Sequence, residues 1–147
     1  MRRQDNRLIE AVIIGFLICA SLLWAHKAWS SETINLDAIQ RIESGDNPLA
    51  YNKALGARGL FQITKICLRQ YNSVHKNKIK YDELFNPEKN KAVAKWYFKF
   101  LETQCSDVEE ILIAYNWGLG NLWGWDGDYN KLPKETRDYL TKYKRAL

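Results

Sequence analysis

A chain of 147 residues has room for one domain and one core, since single domains usually run to about 100–150 residues. Its 46% hydrophobic and 13% aromatic content, with six tryptophans, excludes a disordered tail. The net charge of +5 favours anionic partners, whether nucleic acid, anionic lipid or acidic wall polymer; the absence of Lys/Arg runs interleaved with aromatics argues against nucleic acid.

Arg2, Arg3 and Arg7 precede an apolar stretch of fifteen residues, Ala11–Ala25, followed by His26 and Lys27. This is the pattern of a targeting segment, read here over residues 1–30, with its basic flank held in the cytoplasm and everything after Ser31 exported to the periplasm or cell envelope. The stretch is shorter than the ~20 residues that span a bilayer but fits a signal-peptide core. Ala28 and Ser30 offer a cleavage site before Ser31, whereas extending the apolar segment back to Leu8 gives a membrane anchor over residues 8–25, so signal and anchor stay open. Cys19 lacks the small preceding residue that lipid modification requires. Beyond it only Cys67 and Cys105 remain, which permits either one disulfide or two separate buried thiols in an oxidising compartment. No spacing of Cys and His suits a metal, and no cofactor motif is present.

In the exported part, Asn35 caps a helix whose apolar face is Leu36, Ile39 and Ile42, and Glu43 falls at its end. Gly45, Asn47 and Pro48 break it, which puts the Glu43 carboxylate where a helix gives way to a loop. After a loop with Gly56 and Gly59, a helix is expected from Leu60 through Ile63, Ile66, Cys67 and Tyr71, then a solvated lysine-rich loop over Asn72–Lys80. Asn86-Pro87-Glu88 opens the next helix, with cap, first-turn proline and acid in order, and Val93, Trp96, Tyr97, Phe100 and Leu101 form a stripe better read as core than as a sugar platform. Ser106 and Glu109 make a capping box for a helix with Val108, Ile111, Leu112 and Tyr115 inward, ended by Gly118 and Gly120. Leu122–Asn130 reads as a loop carrying Trp123, Trp125 and Tyr129, and Pro133 begins a last helix through Tyr139, Leu140 and Tyr143. No strand alternation of useful length appears, so the fold class is mainly α.

Four short blocks mix apolar residues with polar ones that a plain helical core does not require. They are Glu43-Ser44 with Asn47-Pro48, Gly56-Ala57-Arg58-Gly59-Leu60-Phe61-Gln62, Ala114-Tyr115-Asn116-Trp117-Gly118, and Glu135-Thr136-Arg137-Asp138-Tyr139. In this order they resemble the catalytic domain of the soluble lytic transglycosylases, in the goose-type lysozyme superfamily, from about Ile34 to Tyr143. The resemblance implies one helical, lysozyme-like domain over residues 34–147, with Phe61 where the family often has Met and Trp117 where Ala is frequent.

The resemblance also implies the chemistry. Glycosidic cleavage needs a carboxylic acid whose pKa is raised by an apolar setting. Glu43 takes that role, protonating the bond after N-acetylmuramic acid and then, as carboxylate, taking the proton of the sugar's own 6-hydroxyl to leave a 1,6-anhydro ring. Ser44 would support Glu43; Gln62, Tyr115 and Asn116 would line the cleft and bind sugar groups; Tyr139 would lie near the acid. No motif-linked second carboxylate stands as a nucleophile, and Asp46 and Asp138 read better as a turn residue and a solvated helix position. Glu135 is explained equally by function and by the helix dipole. Trp123 and Trp125 are candidates for stacking on sugar faces, with core capping as the plainer role. The implied partner is peptidoglycan, reached with the help of a membrane anchor or of envelope-spanning secretion or phage machinery. Two rivals remain: a muramidase that uses the same acid with water, and an idle wall-binding assembly protein, which would be expected to have lost Glu43.

Overall fold

The computed structural model describes residues 33–147, and the targeting segment with its signal-or-anchor alternative lies outside them. The described residues form six α-helices, α1 (Leu36–Ser44), α2 (Lys65–Val74), α3 (Pro87–Glu102), α4 (Val108–Trp117), α5 (Leu119–Trp123) and α6 (Lys134–Ala146). Short 3-10 turns at Tyr81–Phe85 and Tyr129–Lys131 and one two-residue antiparallel pair, β1 (Tyr51–Asn52) with β2 (Ala57–Arg58), complete the architecture. The mainly helical class read from the sequence is the one found, and the β pair is too short to leave an alternation signal.

Helices α1 to α4 each begin where side-chain chemistry satisfies their first amides. The Asn35 side chain accepts from Asp37 N and Ala38 N, at 3.1 and 3.0 Å, and Gly45, left-handed at φ 60°, closes α1 through its N–H to Arg41 O. Thr64 caps α2, and Asn86 with Pro87 starts α3. The box at the head of α4 sits one residue later than the sequence reading: Asp107 accepts from Glu110 N at 2.8 Å, while Glu110 accepts from Ser106 N at 2.7 Å.

The helix expected from Leu60 starts only at Lys65. Leu60, Phe61 and Ile63 are buried, as their apolar character required, but in a tight loop where Gln62 holds φ 46° and Arg58 bridges Ile63. Burial without helical geometry produced the misleading period. Gly120 does not end α4; Gly118, at φ 100°, separates it from α5, so part of the expected loop is helical. Cys67 and Cys105 are unbridged thiols, the first buried and the second half-buried, with burial pushing them up to about 12 and about 11.

The core gathers around α3 and α4. Val93, Ala94, Phe98 and Leu101 of α3 pack with the continuous buried run Ile111–Ala114 of α4, and α2, α5 and α6 lie against this pair. Four consecutive buried residues mean that α4 is enclosed on all sides. Of the stripe expected on α3, Val93 and Leu101 are core, as is Phe98, whereas Trp96, Tyr97 and Phe100 are half-buried in an aromatic cluster that continues to Tyr71 of α2 and to His75 just after it. Helix α1 packs on α6, where Asn35 N donates to the Tyr143 hydroxyl at 2.8 Å. That packing brings the last turn of α1, with Glu43, against Tyr139.

Candidate active site

Glu43 lies along an open cleft of about 520 Å³ walled by the β1–β2 loop, the start of α2, the end of α4 and the first turn of α6. Its carboxylate accepts a hydrogen bond from the Tyr139 hydroxyl at 2.9 Å. Burial is the dominant influence on this acid and raises it to about 7; the nearby charge of Glu135 raises it further, while Tyr139 and Lys142 pull the other way. At neutral pH, therefore, a substantial fraction of Glu43 carries its proton. Burial first, and the Glu43 charge second, hold the phenols of Tyr115 and Tyr139 well above the ordinary tyrosine range, so both remain neutral donors.

Tyr115 projects from α4 and stacks on Phe98 at 4.4 Å between centroids, and its hydroxyl donates to Phe61 O at 2.6 Å. Its donor is thus engaged by the protein, and its contribution to the cleft is a fixed wall that ties α4 to the Gly59–Gln62 loop. Gln62 is held in turn, its amide nitrogen donating to Gly59 O at 3.0 Å and Ala50 O at 3.3 Å, which leaves its side-chain oxygen without a partner among the described residues. A left-handed non-glycine residue costs on the order of 1 kcal/mol, and such strain clusters at binding sites. Asn116 also lines the cleft, half-buried, with no side-chain hydrogen bond among the described residues.

The structure therefore brings together Glu43, Gln62, Tyr115, Asn116 and Tyr139, with Glu135 facing the same space. Ser44 is placed differently: its hydroxyl donates to Gln40 O at 3.1 Å, within its own helix, and it is not among the lining residues. Asp46, at φ 63°, accepts from Gln40 Nε2, and Asp138 pairs with exposed Lys134; both stand outside the cleft. Trp123 is 67% exposed, and Trp125 donates to Asp128 O; neither lines the cleft.

One supporting residue escaped the sequence reading. Asn90, fully buried on α3, accepts from Phe61 N at 2.9 Å and donates to Arg58 O and Leu84 O, each at 2.8 Å. It is the internal template of the Arg58–Gln62 loop. Gly59 is confined to glycine by the same contact, because its φ is +75° and a Cβ would stand 2.3 Å from Asn90 Nδ2 and from Leu84 O. The available signal was a polar residue four after the Asn86 cap on an otherwise apolar face. On the other side of the loop, the Arg58 guanidinium sits 3.7 Å from the Tyr81 ring centre, between Tyr51 and Phe85, and pairs with Asp82.

Among the described residues no cluster of three or more His, Cys, Asp or Glu could hold a metal, and no helix is long and apolar enough to cross a membrane. A helical domain with a carboxylic acid at a helix end beside an open cleft defines the lysozyme-like class. The family model of the transglycosylase SLT domain matches residues 23–137, and the chain belongs to that family, as the four sequence blocks implied. No curated protein and no solved structure gives a significant match.

Proposed function

We propose that this protein is a peptidoglycan lytic transglycosylase that cleaves the β-1,4 bond between N-acetylmuramic acid and N-acetylglucosamine. The family supports action on peptidoglycan. The observation that carries the glycan-cleaving reading is Glu43, raised to about 7 by burial and oriented by Tyr139.

In this reading the protonated Glu43 delivers its proton to the glycosidic oxygen as the bond to the anomeric carbon breaks. The resulting carboxylate then takes the proton of the muramic acid 6-hydroxyl while that oxygen closes on the anomeric carbon. Proton and bond changes balance: the acid is restored, no water enters, and the product ends in a 1,6-anhydro ring. The Tyr139 hydroxyl holds the carboxylate in one rotamer and stabilises its charged form between the two steps. The free side-chain oxygen of Gln62 and the uncommitted Asn116 amide are the polar groups best placed to orient the sugar. The basic-flanked apolar segment would export this domain to the envelope side of the cytoplasmic membrane.

A second reading has one observation in its favour. Glu135 lines the same cleft and raises Glu43, so a second carboxylate is available to activate water, which would make the enzyme a muramidase. Glu43→Gln tests what the two share. The amide has the same shape but no proton to give, so wall clearing should fall by at least ~10²-fold with the fold intact. Retention of more than about a tenth of the activity would remove Glu43 from the acid's role.

A further inference from the structure

The acidic and basic side chains along the cleft are unevenly distributed. Among the described residues, its lining holds two carboxylates, Glu43 and Glu135, and a single cation, Lys65. Lys65 is the first residue of α2, and no acid occupies that first turn. A cation there opposes the helix dipole, which favours acids at this end. The sequence therefore keeps a side chain that local stability disfavours, at a position facing the site, and such breaches of local rules concentrate where function is served. Nor is the charge neutralised within the protein. Among the described residues no carboxylate lies within salt-bridge distance of Lys65; its ammonium sits 4.8 Å from the Tyr81 ring centre. Beside it on the lip are exposed Ile66 and, from the β1–β2 loop, exposed Leu55, neither of which can meet an anion.

Given the peptidoglycan reading, on which this inference rests, the substrate has a matching feature. The sugar backbone is neutral, and its negative charge hangs from the lactyl branch of muramic acid, as the lactyl carboxylate itself or as carboxylates of the attached peptide stem. We propose that Lys65 is a specificity residue that pairs with a carboxylate on this branch, so that the cleft distinguishes anionic muramic acid strands from uncharged ones. Glu135, on another element, repels the same branch, which helps to fix how the strand lies.

Binding is measured with the full chain carrying Glu43→Gln, so that no strand is consumed, on three substrates: native stem-bearing strands, strands stripped of stems by an amidase, and native strands whose carboxylates have been chemically amidated. On native strands K65Q should weaken binding about three- to fivefold and K65E about tenfold, K65R should remain within twofold, and the losses should shrink in high salt. On amidated strands the variants should converge with the parent. An effect that persists on stripped strands shows that the lactyl carboxylate, freed there by removal of its amide-linked stem, also pairs with Lys65; one confined to native strands identifies a stem carboxylate. The melting temperature of K65E should equal or exceed that of the parent, because an acid suits the start of α2, so weaker binding would not reflect misfolding. K65Q and K65E binding native strands within twofold of the parent, or losing equally on amidated strands, would overturn the proposal. A parent that binds none of the three would remove the peptidoglycan reading itself, and the proposal with it.

Discussion

At the scale of single residues, Glu43 is the cleft group that burial brings close to neutral pH. A carboxyl raised from 4.5 to about 7 binds a proton more tightly in the folded chain than in the unfolded one. Its contribution to stability is fully present below about pH 4.5 and is lost as the pH rises through about 7. Glu43→Gln, which cannot ionise, should therefore be more stable than wild type above pH 7, by up to about 3 kcal/mol, with the difference vanishing below pH 4.5. Denaturant unfolding at pH 4 and pH 8 checks it, and equal stabilities at pH 8 would show that the acid is not desolvated. The neighbours should tune the same group in opposite directions. Tyr139→Phe removes the bond that favours the carboxylate, so the alkaline limb of the activity profile should move up; Glu135→Gln removes a like charge, so the limb should move down, each by about one pH unit or less. Shifts in the same direction would contradict these assignments.

At the scale of elements, the site depends on the Arg58–Gln62 loop keeping one shape. Asn90→Ala would leave Phe61 N and the carbonyls of Arg58 and Leu84 without their buried partner, at a cost of about 2–4 kcal/mol. Gly59→Ala would meet both a steric overlap and a left-handed φ, and should cost at least ~2 kcal/mol. Thermal unfolding of the two variants checks both, and a loss below about 1 kcal/mol in either would mean that the loop is held elsewhere. This loop also marks the limit of what the chain reveals before it folds. Caps were legible because Asn35, Asn86 and Pro87 act on amides within a few residues of themselves. Glu43 was legible because a helix end and a breaking glycine adjoin it. The Leu60–Ile63 segment was misread because its backbone is held in a loop by hydrogen bonds between Phe61 and Asn90 and Tyr115, 29 and 54 residues away, which no local period encodes. Lys65 reaches the cleft for the same reason, through the meeting of separate elements. The pairing of Glu43 with Tyr139 spans 96 residues and followed from the family resemblance of the blocks, not from spacing.

At the scale of the whole molecule, the helical frame positions one proton-bearing carboxyl beside a cleft in which the Gln62 side-chain oxygen and the Asn116 amide have no partner among the described residues. That arrangement suits a reaction in which the substrate supplies its own nucleophile: a 6-hydroxyl held near the anomeric carbon has an effective concentration far above that of competing solvent. Glu135 is the feature that would favour water instead. Digestion of purified peptidoglycan, followed by weighing of the released muropeptides, separates the two outcomes most directly. Wild type should release muropeptides whose muramic acid ends are one water, ~18 Da, lighter than reducing ends, because the acid–base cycle returns Glu43 to its starting state without consuming water. Glu43→Gln should release neither. A wild-type digest dominated by reducing ends would contradict the transglycosylase reading and make the protein a hydrolase that uses the same acid.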